Sequence, residues 1–319
     1  MIPDQLVLGS GGVLGETWMS AVIAGVLDAG GPDLRLSDHF VGTSAGSIVA
    51  TRLAAGQDMR EYIERRFGIV PSDSSGFAPR VGGDCQPGDD LAGGGRLDAA
   101  ASTFLGGSRQ AGSLLRRAAL KAVPEGREDL TRLGGTIERL MPDWDPRLSL
   151  IGVGVRQGAR LIMQADTDLG LSVSDAVRAS CSIPGVFRPV ESARGPIVDG
   201  GVWSPVNLDA VRVPTGARVL CLYPSGYRSS PRSTRRTVLT RISRTRVAME
   251  AAVMRRHGAR VLIVSPDPSA ALAIGPNRMD HGRNEGVART GFEQGVDIAD
   301  GLRSWLGGAR PRAGVQPCR

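Results

Sequence analysis

Lysine is nearly absent from this 319-residue chain: of its 39 basic residues, Lys121 is the one lysine. The formal charge is +7 and the sequence pI is near 10.0. An arginine-for-lysine bias reflects coding composition as much as physics, so it is no evidence for a nucleic-acid partner. Arginine does favour contact with anionic surfaces. Aromatic residues make up 4% of the chain, so its core must be built from Val, Leu, Ile and Ala. The four cysteines, Cys85, Cys181, Cys221 and Cys318, form no C-x-x-C pair and no metal-ligand spacing. They read as idle thiols in a reducing compartment rather than a disulfide framework. The first residues lack the basic and apolar regions of a signal peptide, and no apolar run is long enough for a membrane span. The expected setting is cytoplasmic.

What is present is a soluble globular composition, 41% hydrophobic and 22% charged, at a length that can bury a large core. Leu6-Val7-Leu8 is a short buried-strand signal running into Gly9-Ser10-Gly11-Gly12-Val13-Leu14-Gly15. Met19, Val22, Ile23, Val26 and Leu27 then recur at helical spacing. Phe40-Val41 leads into a second glycine-bounded turn and an Ala-rich helix to about Ala55. This alternation predicts an α/β fold with a mostly parallel sheet between helical layers. From about Gly68 to Gly112, Pro, Gly, Ser and Asp dominate, and we read a lid. One or two cap helices follow to Leu140, broken near Pro124. Strands are expected at 148–155, 160–163, 196–198, 219–223 and 260–264. Between the last two, a helix carries Val238, Ile242, Met249 and Val253 on one stripe. The division is one catalytic domain over 1–306, with a lid and cap at 68–140 and a disordered tail at 307–319.

Three segments carry chemistry. Gly42-Thr43-Ser44-Ala45-Gly46 has the Gly-x-Ser-x-Gly form of a nucleophile elbow, a tight strand-to-helix turn that exposes the serine beside a helix N-terminus. With 44 glycines in the chain, a chance match is unexceptional, so its surroundings must decide. The glycine loop after the first strand can turn the Gly11, Gly12 and Val13 amides toward one point, a nest that binds a developing oxyanion. A dinucleotide loop would need glycine at position 14, where Leu14 stands, and the P-loop ending is missing. A purely structural turn is the other alternative. Asp199, at a strand end before Gly200-Gly201, can reach over the sheet edge as a base. In isolation it would read as an ordinary Asp-Gly turn.

Together with Arg178-Ala179-Ser180-Cys181-Ser182-Ile183-Pro184-Gly185-Val186-Phe187-Arg188-Pro189-Val190 and Val198-Asp199-Gly200-Gly201-Val202-Trp203, these segments resemble the patatin-like phospholipase family over about residues 5–225. The resemblance implies a three-layer α/β/α fold and a lipid acyl hydrolase needing no cofactor and no metal. It assigns Ser44 as nucleophile, Asp199 as base without histidine, and Gly11, Gly12 and Val13 as the oxyanion hole. The substrate would be a lipid ester, with transient contact to an anionic membrane surface through the Arg-rich segment 228–246. Two positions depart from the family loop. Ser10 replaces a glycine and should keep φ negative. Leu14 stands where arginine is frequent, and is expected to act on what binds beside the loop. Two alternatives stay open: an inactive lipid-binding or scaffold protein on the same fold, and an α/β-hydrolase triad recruiting His257 or His281. His39 reads as structural.

Overall fold

In a computed structural model of the chain, residues 1–69, 109–124, 126–227 and 234–308 are described, with the side chains of 109–115 and 234–242 excepted. Most of the expected lid, residues 70–108, and the tail beyond Gly308 lie outside them. The strands are β1 (Gln5–Leu8), β2 (Phe40–Thr43), β3 (Leu148–Gly154), β4 (Ala159–Met163), β5 (Ile197–Asp199), β6 (Arg218–Leu222) and β7 (Arg260–Val264). They form one sheet in the order β4-β3-β2-β1-β6-β7, with β5 paired to β3. β1, β2, β3, β6 and β7 run parallel, and β4 and β5 run antiparallel to β3. The order reverses at β1, which has β2 on one side and β6 on the other. Ligands of open α/β sheets bind outside the carboxyl ends of the strands at such a switch point.

The helices are α1 (Gly12–Asp28), α2 (Ala45–Ala54), α3 (Met59–Phe67), α4 (Arg109–Ala122), α5 (Thr131–Leu140), α6 (Val173–Cys181), α7 (Thr234–Arg256), α8 (Pro268–Ile274) and α9 (Asn284–Gly307). They cover both faces of the sheet, because strand side chains alternate with period two. Leu6 and Leu8 enter the core shared with α1, α2 and α9. Val7 enters the opposite core with Val247, Ala251 and Met254 of α7. No helix among the described residues is long and apolar enough to cross a membrane.

Two helices depart from their sequence patterns. The apolar stripe of α1 suggested one buried face, yet every residue from Val13 to Val26 is buried. The cause is α9, which covers the side away from the sheet at backbone contact distance. A Cβ on Gly25 would collide with the Phe292 carbonyl, and one on Gly295 with that of Val22. Polar residues in α1 are met accordingly: Trp18 Nε1 donates to Gln294 Oε1 at 2.9 Å, and Glu16 accepts from the Tyr62 hydroxyl at 3.2 Å. In α7 the expected stripe fails at Met249, which is 59% exposed. The inward face is Val247, Glu250, Ala251 and Met254. Glu250 is drawn in because Oε2 accepts the Leu208 amide at 3.0 Å and Oε1 accepts from Arg246 Nε at 3.0 Å.

Within the span read as lid and cap, α5 buries Leu133 and Ile137 in the same core as α1. α4 places Leu120 against Val153, Val198 and Val202. Its Arg116 lies 4.2 Å from the centre of the Trp203 ring and donates to the Gly158 carbonyl at 2.7 Å.

Candidate active site

β2 ends at Thr43, and Ser44 takes φ 53° and ψ −124° before α2 begins at Ala45. Among the described residues only Ser44 and Asn207 combine a side chain with positive φ. Backbone in such regions costs about 1–3 kcal/mol and must be held by its surroundings. The flanking glycines explain how the turn closes. A Cβ on Gly42 would lie 2.6 Å from Ser47 Cα, and one on Gly46 would collide with the Leu8 carbonyl. The second contact also presses the elbow against the loop that leaves β1. The Ser44 carbonyl accepts the Ser47 amide at 2.7 Å and the Ser47 hydroxyl at 2.6 Å.

Sheet register brings Asp199 to this turn. On β3, Thr43 lies opposite Ile151 and Asp199 opposite Gly152. β4 occupies the other edge of β3 over the same residues. β2 and β5 therefore meet end to end along one edge of β3, arriving from opposite directions. The Ser44 hydroxyl lies near enough to the Asp199 carboxyl to favour its ionised form, and Asp199 Oδ1 accepts the Gly201 amide at 2.6 Å. Gly200 has no room for a side chain against the Ile151 carbonyl. Asp199 is 4% exposed and Ser44 7%. Burial pushes the Asp199 pKa up to about 6, against the opposing pull of the Ser44 hydroxyl and the Gly201 amide.

The glycine loop caps α1 at the same sheet edge. A Cβ on Gly11 would lie 2.7 Å from both Gly15 Cα and Pro224 Cβ, and Gly12 has φ +62°. The Leu14 amide donates to the Arg278 carbonyl and the Gly15 amide to that of Gly11, each at 3.0 Å. The amides of Gly11, Gly12 and Val13 have no acceptor among the described residues. They are unsatisfied donors of a helix N-terminus, where anions are favoured. Ser10 keeps φ out of the positive range, as expected. Leu14 does not behave as expected. It is fully buried in the core behind the loop, so it presents nothing beside the three amides.

His39 precedes β2, and an extended chain from there to Ser44 spans about 15 Å. Its Nε2 is 2.8 Å from the Ser149 hydroxyl, and burial lowers its pKa. His257 is exposed beyond the end of α7, and His281 opens the turn before α9. Cys181 and Cys221 are buried free thiols, as expected; Cys85 and Cys318 lie outside the described residues. No cluster that could hold a metal occurs among the described residues.

Two residues at the site escaped the sequence reading. Ser180 lay unremarked inside the stretch Arg178 to Val190, and its hydroxyl accepts the Ser44 amide at 2.9 Å. Asn207 is fully buried at φ 52°, and its side-chain amide reaches Thr43, Gly200 and Ser204. An asparagine just beyond Pro205-Val206 was the available signal, since asparagine tolerates the left-handed region.

The family model described as patatin-like phospholipase matches residues 6–212, which contain the glycine loop, the elbow and Asp199. The chain is also similar to VipD from Legionella pneumophila. That crystal structure aligns at 15% identity over 94% of this chain and 67% of the other, with a TM-score of 0.41. A search of curated proteins finds no match.

Proposed function

From its membership of the patatin-like phospholipase family, which implies a lipid acyl hydrolase, we propose that the chain cleaves lipid carboxylic esters through a Ser44–Asp199 dyad. Asp199 takes the Ser44 proton as Oγ attacks the ester carbonyl carbon. The resulting oxyanion accepts hydrogen bonds from the Gly11, Gly12 and Val13 amides. Collapse expels the alcohol, which is protonated by the Asp199 acid, and leaves the acyl group on Ser44. Water, deprotonated by Asp199, then releases the fatty acid and restores the serine. The observation that carries this reading is the sheet register, which ends β5 at Asp199 where β2 turns into Ser44, both side chains being buried there. Hydrolysis of p-nitrophenyl esters by the purified protein tests it, and a folded chain inert to every ester would favour a lipid-binding protein without catalysis.

Delivery to a lipid surface is proposed to involve the basic segment 228–246. Arg244 in α7 is exposed. Arg246 is withdrawn from that role, being paired with Glu250 and lying 5.4 Å from the centre of the Trp203 ring. Arg228 and Arg232, and the side chains of Arg235, Arg236 and Arg241, lie outside what is described. A basic residue near an anionic membrane contributes about 1 kcal/mol, screened within a Debye length. Co-sedimentation with phosphatidylserine vesicles should weaken with added salt and in the Arg235→Glu, Arg236→Glu variant. Equal binding to phosphatidylcholine vesicles would refute electrostatic docking.

A further inference from the structure

β2 leads into Ser44 and β5 ends at Asp199, but no ladder pairs these two strands with each other; β3 is the strand that pairs with both. Backbone pairing therefore leaves an end-to-end junction between the two reacting side chains. Two buried residues tie its sides together, Ser180 with the backbone that follows it and Asn207 through its side chain. Ser180, at the end of α6, accepts the Ser44 amide at 2.9 Å and donates its own proton to the Ile151 carbonyl at 2.7 Å. Two residues on, the Ser182 carbonyl accepts the Asp199 amide at 2.9 Å. The Ser182 hydroxyl secures that segment by bonding the Arg178 and Arg188 carbonyls at 2.8 and 3.0 Å. The Asn207 side-chain amide meets Thr43 Oγ1 and the Gly200 carbonyl, each at 3.2 Å, and the Ser204 carbonyl at 2.8 Å. It thus joins the residue before the serine to the residue after the aspartate.

Given the dyad reading, we propose that Ser180 and Asn207 are positioning residues that fix the separation of Ser44 and Asp199. Both are fully buried, so neither touches substrate. Ser180 has a second consequence. It occupies the Ser44 amide, so that amide does not also serve an oxyanion. The stretch Arg178 to Val190, which the dyad chemistry left without a task, thereby becomes the brace of the elbow.

The test compares Ser180→Ala, Ser180→Thr and Asn207→Gly with the native chain on a short p-nitrophenyl ester. Asn207→Gly keeps the positive φ available while removing the amide, which separates side-chain bonding from backbone strain. A displacement of about 1 Å between reacting groups costs as much as about a hundredfold in rate. We expect kcat to fall by about tenfold to a hundredfold in Ser180→Ala and Asn207→Gly, with KM within about twofold of native, and Ser180→Thr to recover most of the loss. The acidic limb of the pH profile should also move upward in the first two variants. The groups facing Asp199 are the Ser44 hydroxyl, the Gly201 amide and the Cys181 thiol, and moving the first away weakens an interaction that favours the carboxylate. A purely structural role would lower the folded fraction and leave the limb in place. Native kcat and limb in folded Ser180→Ala and Asn207→Gly would overturn the proposal. Should the native chain itself turn over no ester, the dyad reading fails separately. Hydrogen exchange of the Ser44 amide then decides, faster in Ser180→Ala if the brace exists and unchanged if it does not.

Discussion

Asp199→Asn should reduce ester turnover by about three orders of magnitude or more, and Ser44→Ala by at least as much. The asparagine is nearly isosteric and can still accept the Gly201 amide. The loss would therefore report the missing base rather than a change of shape. The double variant should be little worse than either single one, because a proton donor and its acceptor act as a unit and their effects do not add. His39→Ala, His257→Gln and His281→Gln should each retain most of the activity. Steady-state kinetics on one soluble ester checks all six variants. Retained turnover in Asp199→Asn beside an inactive histidine variant would replace the dyad with a triad.

The same carboxyl should set the pH dependence of both rate and stability. A base must be ionised to take the Ser44 proton, so turnover should rise with pH through about 6 rather than through the ordinary carboxylate value of 3.8. The stability effect has the opposite sense. A folded-state pKa above the unfolded value means the native chain favours the neutral acid. The associated stability is complete below pH 3.8 and is lost as pH rises through about 6. That loss is about 3 kcal/mol, from a displacement of roughly two units. Asp199→Asn should therefore match the native chain in urea unfolding at low pH and exceed it by up to about 3 kcal/mol at pH 8. The ionised carboxylate is a destabilising group kept for chemistry. A variant less stable than the native chain at pH 8 would contradict this assignment of the pKa.

The glycine loop, the elbow and the Asp-Gly-Gly turn were legible in the chain because each is a local backbone requirement. Gly42, Gly46 and Gly200 are glycines where a Cβ has no room, and that constraint appears directly as residue type. The strands around them were legible for the same reason, as short apolar runs closed by turn residues. Pairing was not. β5 is three residues long, and nothing in Ile197-Val198-Asp199 announces that it runs antiparallel to β3 and stops where β2 stops. The braces were hidden too, because Ser180 and Asn207 act across 136 and 164 residues of sequence. The α1 pattern misled in another way. A stripe at helical spacing indicates one covered face, but it cannot reveal that glycines in a distant helix will cover the other. Leu14 misled because a position in a loop motif was taken as facing the ligand, whereas the helix start turns it inward.

The central claim is that Ser44 is an activated nucleophile whose activation comes from Asp199. Its most direct measurement is reaction of the folded native chain with a fluorophosphonate, followed by peptide mass spectrometry. The account predicts a single covalent adduct on Ser44, absent in Ser44→Ala and formed far more slowly in Asp199→Asn. A folded native chain that stays unlabelled, or carries the adduct on a different residue, would contradict it.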